Sequence, residues 1–187
     1  MKVPVVRKKL NFLPDSSRVV ARYFMNGEER TIDLINRILL MTDVDVNCAL
    51  EGINREFARR HRNISEIFYR HFDKTKGIID GMQFDKEKMT DDRKLLIGAY
   101  LTMEYSIESA AFFNPSMVED FDQSGLEKGE KRVVISFRAT GEGHVSSIVF
   151  RRGILDKDNN LRMMRIGDSI EKADLLRKMM FNKKKIL

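Results

Sequence analysis

Cysteine is nearly missing from this 187-residue chain, where Cys48 stands alone. An intrachain disulfide framework is therefore excluded, and a reducing cytoplasm is the expected compartment. Proline and glycine are sparse, at 3 and 11 residues, which excludes collagen-like and low-complexity classes. No apolar run approaches the ~18 residues a spanning helix needs, so no membrane partner is expected. The opening residues, MKVPVVRKKLNF, have neither an uninterrupted apolar stretch nor a small-residue cleavage site, and no signal peptide is read there. Histidine is scarce, and His61 and His71 have no Cys or carboxylate at metal-ligand spacing. Neither a GxxxxGK phosphate loop nor a GxGxxG fingerprint occurs. No metal and no cofactor are expected.

What is present suits a folded chain. Hydrophobic residues make up 42% and charged residues 33%, enough for a core in one ordinary domain or two small ones. The net charge of +6 suggests nucleic acid, but its distribution argues against that partner. Residues 1–150 carry 23 basic and 23 acidic side chains, whereas 151–187 carry 11 and 5. The excess belongs to 151–187 and is densest in the basic tail, 169–187, that ends in Lys183, Lys184 and Lys185; it reads as solvated rather than as a concentrated phosphate-binding face.

Along the chain, the pattern predicts a mainly helical region over 1–112 and antiparallel strands over 113–168. Val3, Val5 and Val6 suggest a short strand, and Arg18 to Phe24 another, separated by turn chemistry at Pro14 to Ser17. Three helices are predicted between 28 and 73. The first is capped by Asn26 with Glu29, the second by Thr42-Asp43, and the third by Asn63 with Glu66. Glu51–Arg55 and Glu56–Arg60 are spaced as ion pairs along the second helix. A connector with Gly77 and Gly81 leads to a helix from Thr90-Asp91, which the apolar run Tyr105 to Phe113 extends. Asn114, before Pro115, is expected in extended backbone. The period then changes to two: Ser116 to Val118, Val133 to Arg138, His144 to Arg151 and Leu161 to Ile166 predict a meander of up to four strands. After Asp168 the sequence reads equally as helix or strand.

Two clusters carry possible chemistry. Arg59-Arg60-His61-Arg62 is the densest basic run and is expected as the exposed C-terminal end of a helix, where cations complement the dipole. Gly141-Glu142-Gly143 reads either as a hairpin whose glycines supply positive φ or as a turn presenting Arg138, Glu142 and His144 to a ligand.

The segments FNPS (Phe113 to Ser116), DQSGL (Asp122 to Leu126) and SFRATGEGHVSSIVFR (Ser136 to Arg151) resemble glycoside hydrolase family 130. The likeness is to its longer members, which carry a helical N-terminal region. It runs in order along the chain and is richest at 104–155. The resemblance implies β-mannoside chemistry: phosphorolysis of β-1,2-mannosides in one branch, and β-1,4-mannosides or hydrolysis in others. It implies a five-bladed β-propeller, so that this chain is α+β, a helical N-terminal bundle followed by an antiparallel meander that forms the first, incomplete blade. It places Asn114 and Arg138 against sugar, with Glu142, His144 and Ser146 in a branch-specific part of the site. A β-mannoside oligosaccharide is the implied partner, and inorganic phosphate is a co-substrate of the complete enzyme. The resemblance also assigns the general-acid Asp and the phosphate-binding residues to later blades, which no segment here matches. The chain is accordingly expected to be an N-terminal portion without a catalytic residue.

A lone blade leaves sheet faces without neighbours, and uncovered apolar faces drive self-association. Met163, Met164, Met179, Met180 and Phe181 are candidates for such a patch, and the helices 28–73 and 90–112 for covering the opposite face. The alternatives are a non-catalytic carbohydrate-binding or protein-interaction module and, on charge alone, a nucleic-acid-binding protein.

Overall fold

The computed structural model describes residues 7–167 and 169–170. The strand expected at Val3 to Val6 and the residues Met179, Met180 and Phe181 lie outside them. The described chain is α+β, with five α-helices and two antiparallel sheets. The order is β1 (Val19–Tyr23), α1 (Glu28–Leu40), α2 (Asp43–Phe57), α3 (Ile64–Asp73), α4 (Lys76–Asp80), α5 (Asp91–Tyr100), β2 (Thr102–Ser106), β3 (Ala111–Glu119), β4 (Lys131–Thr140), β5 (Ser146–Leu155) and β6 (Leu161–Met163). Among the described residues no helix is long and apolar enough to cross a membrane.

The three helices predicted over 28–73 are present, and α5 is the element they share. Apolar side chains at helical spacing on α1 and α2 (Ile35, Ile38, Leu39, Val46, Leu50) meet Leu96, Ile97 and Leu101 from α5 and its end. From α3, Ile64 and Phe68 join Ala99 and Ala21. Gly98 lets α3 and α5 touch backbone to backbone, since a Cβ there would lie 2.0 Å from the Phe68 carbonyl oxygen. Thr42 caps α2 by accepting from Asp45 N at 3.2 Å, and Thr90 caps α5 by accepting from Arg93 N at 3.4 Å. The Asn26 box does not form. The N-cap is Gly27, at φ 88°, and its carbonyl accepts a 2.8 Å hydrogen bond from the Thr31 hydroxyl. Asn63 does precede α3, but in the left-handed region (φ 53°), where its side chain makes no capping bond.

The helix expected to run on through Tyr105 to Phe113 ends at Tyr100 instead. The next residues pair with β1 in an antiparallel ladder from Val19↔Ser106 to Tyr23↔Thr102. Pairing with a distant strand overrides the local apolar pattern here. The four-stranded sheet follows in the order β3-β4-β5-β6, all antiparallel, as the period-two pattern indicated.

Alternation along β4 sends Val133, Ile135, Phe137 and Ala139 to one face. That face is covered by Tyr105, Ile107 and Val20, from β1 and from β2 and its continuation, and by Phe12 from the N-terminal arm. The expected helical cover is not observed: this cluster contains no residue of α1 to α5. The helices have already buried their apolar stripes on α5, so the two-stranded sheet serves as the intervening layer. Met163 packs into the same core, while Met164 is exposed. The opposite face is open. Val118, Ile148 and Phe150 there are 61%, 64% and 63% exposed.

Candidate functional site

The open face carries the residues that the sequence singles out. Arg138 stands on β4 opposite Phe113 of β3 and Ile148 of β5. Its Nε donates to the Ser146 hydroxyl at 3.1 Å, and its guanidinium lies 5.3 Å from the centre of the Phe113 ring. The side chain is therefore held by an aromatic surface on one strand and a hydroxyl on the other while remaining exposed.

Asn114 follows Phe113, and its backbone is not extended. Its φ is 52°, in a region that Asn enters more readily than most residues. Pro115 disfavours the right-handed helical region for the residue before it. The pairing passes from Phe113↔Arg138 to Ser116↔Ser136, so Asn114 and Pro115 together oppose Phe137 alone. This is a β-bulge, a place where the missing proline N–H costs no ladder bond. The bulge lifts Asn114 out of the ladder next to Arg138, and both side chains are exposed.

Glu142 and His144 lie in a 3-10 turn, Glu142–His144, between β4 and β5. Gly143 has φ 60° and His144 φ 59°, so positive φ is required there. Gly141 serves differently. Its φ is −97°, but a Cβ would fall 2.2 Å from the Ser106 carbonyl oxygen. The Tyr105 hydroxyl donates to the Glu142 carbonyl and ties the turn to β2. The structure thus joins Arg138 to Ser146 and sets Asn114 beside them. Glu142 and His144 are exposed at the tip, with no side-chain hydrogen bond or ion pair to the other three.

The basic run after α2 is not a simple solvated end. Arg59 is exposed, but Arg60 donates Nε and Nη2 to the two Glu104 oxygens at 2.7 and 2.9 Å. The His61 ring, only 6% exposed, places Nε2 2.7 Å from Glu104 Oε1. Arg60 thus bonds Glu104 rather than Glu56, its expected partner on the helix, which acts on it only through its charge. The carboxylate on β2 draws the chain after α2 onto the small sheet. Burial alone pushes the Glu104 carboxyl up, but hydrogen bonds from Arg60 and His61 outweigh it and hold the group below the usual carboxylate range. A depressed pKa in the folded state means that this stabilisation is present above the unfolded-state value and is lost as pH falls through the folded one. Glu104→Gln is expected to cost about 2 kcal/mol at neutral pH. Melting curves of both proteins should draw together as the pH falls below the usual carboxylate range and through the lower folded-state value of Glu104. A gap that persists in acid would contradict this.

His71 is a second buried histidine, with Nδ1 2.7 Å from the Thr102 hydroxyl. That hydroxyl donates to the Gly98 carbonyl at 2.7 Å, so Nδ1 carries the proton. Among the described residues no three His, Cys, Asp or Glu side chains converge to hold a metal ion.

A third cluster had no prominent signal in the sequence. Glu108, fully buried between β2 and β3, accepts from Arg151 Nη2 on both oxygens. Arg18 Nε lies 3.6 Å from the same carboxylate. Two faint signs were available. Glu108 interrupts an apolar run, and Arg151 falls on the inward positions of β5 with Val149 and Gly153. No family model matches the chain, and no curated protein or solved structure shows significant similarity to it.

Proposed function

We propose that the chain is the sugar-binding N-terminal part of a β-mannoside-active protein of the kind represented by glycoside hydrolase family 130. In this reading the helices form the N-terminal bundle and β3 to β6 the first propeller blade. The open face contacts a β-mannoside oligosaccharide through Asn114, Arg138 and Ser146, with Glu142 and His144 at the rim. The observation that supports it most is the grouping at the bulge: a guanidinium, an amide, a hydroxyl and an aromatic ring, all on one exposed surface. These groups bind sugar hydroxyls and the apolar face of a pyranose. A cytoplasmic setting accompanies the reading, given one free, exposed cysteine.

Asn114 and Arg138 position hydroxyls but supply no general acid. Phosphorolysis needs a proton donor at the leaving oxygen and a phosphate in line behind the anomeric carbon. The chain is therefore proposed to bind without turnover. Incubated with β-1,2-mannobiose and inorganic phosphate, it should release no mannose 1-phosphate, while calorimetry should detect mannobiose binding that Arg138→Ala weakens about tenfold. Release of mannose 1-phosphate, or binding indifferent to Arg138, would overturn the proposal.

A non-catalytic interaction module is the second reading, favoured by the exposed Val118, Ile148 and Phe150 on the same face. Self-association through that face belongs to both readings. Concentration-dependent sedimentation without any sugar binding would favour the second.

A further inference from the structure

A cavity of about 610 Å3 opens where β5 runs past the end of β6. β6 pairs only with Gly153 to Leu155, and Met164 N donates to the Arg152 carbonyl at 2.9 Å. Beyond that bond, β5 and the chain after β6 diverge as the walls of the cavity. Among the described residues that line it are Arg18, Arg151 and Arg152, with Glu108 as the carboxylate between them.

The carboxylate is already committed. Both of its oxygens accept from Arg151, which also donates Nη1 to the Phe150 carbonyl at 3.1 Å. Arg18 is fixed by donating Nη1 to the Gly167 carbonyl at 2.8 Å, but its Nε is buried and has no hydrogen-bond partner. Arg152, on the rim, is balanced by Asp120 at 2.9 Å, and Asp15 acts on Arg18 and Arg151 from outside the cavity. Within the trio Arg18, Arg151 and Glu108 one positive charge is in excess. Burial first, and then the charge of Arg151, press Arg18 below its ordinary value. Arg18 Nε faces Glu108 at 3.6 Å without hydrogen-bonding it, and a half-buried guanidinium so placed beside a second arginine is relieved by a further anion.

We propose that this cavity binds a small oxyanion, the carboxylate or phosphate group of a ligand, through Arg18 with Arg152 at the rim. Ile148 and Phe150, exposed beside it, offer an apolar surface for the rest of the ligand. The proposal does not depend on the sugar reading, because Asn114 does not line this cavity and neither does Arg138.

The test is calorimetric titration of the full chain with inorganic phosphate and, separately, with acetate, at constant ionic strength set by sodium chloride. Saturable one-site binding of at least one of them in the millimolar range or tighter is expected. Binding of phosphate alone assigns the phosphate class, and competition between the two assigns oxyanions generally. Arg18→Gln should weaken binding about tenfold or more, and Arg18→Lys less. Lys131→Gln, an exposed change at the start of β4 that does not line the cavity, should have no effect. Should Arg18→Gln not fold, amide shifts induced by phosphate in the unaltered protein should centre on Phe150 to Arg152 and Arg165 to Gly167. The proposal is overturned by absence of saturable binding, by equal affinity in Arg18→Gln, or by shifts located elsewhere.

Discussion

Glu108→Gln is expected to lower the melting temperature by on the order of 10 °C, far more than a polar substitution at an exposed position would. Glu108 has no exposed surface, and its carboxylate is the shared counter-charge of Arg151 and Arg18. Removing one member of a buried ion pair leaves uncompensated charge and costs about 3–5 kcal/mol. Here two cations are left, one from β5 and one preceding β1, so the loss acts on the contact between the two sheets. The desolvation argument also predicts non-additivity. Combining Glu108→Gln with Arg151→Met should recover part of the loss, because the second change removes a stranded charge. A shift below about 1 kcal/mol for Glu108→Gln, or strict additivity in the double variant, would show that water still reaches the carboxylate.

Phe137→Ala is the apolar counterpart. The ring is 2% exposed. It stacks on Phe112 at 4.4 Å and meets Phe12 at 4.8 Å. Truncation removes contacts from three segments of the chain at once and leaves a cavity, at about 3–5 kcal/mol. Phe137→Leu retains much of the volume and should cost about 1.5 kcal/mol or less. Urea denaturation monitored by circular dichroism measures both. A small effect for Phe137→Ala would mean that Phe12 does not hold the sheet's covered face.

The two substitutions mark where the sequence was legible and where it was not. Strands β4 and β5 could be read because VVISFR and HVSSIVFR are rich in β-branched and aromatic residues between glycine-containing turns. Helices α1 to α3 could be read from spacings of three and four, and the caps of Thr42 and Thr90 from short-range chemistry. The strand Thr102–Ser106 was hidden, since its pairing partner lies some eighty residues earlier and the apolar run from Tyr105 reads as a continuation of the helix before it. The layer that covers the large sheet was misassigned to helices for the same reason. In the candidate site, Arg138 was singled out beside the turn at Gly141 to Gly143, and Ser146 only through the family resemblance. The left-handed Asn114 was not, because proline announces what its neighbour avoids without saying what it adopts. Glu104 and Glu108, each gathering partners from more than forty residues away, are tertiary features with no local period to reveal them.

The bulge at Asn114 and the bond from Arg138 to Ser146 place one compact set of polar groups on an exposed sheet. The proposed function rests on that surface meeting sugar. Titrating isotope-labelled protein with β-1,2-mannobiose and following backbone amides tests it directly. Shifts should gather at Phe113 to Ser116, Arg138 and Glu142 to Ser146, and disappear in Arg138→Ala. An unchanged spectrum at millimolar sugar, or shifts confined to the helices, would contradict it.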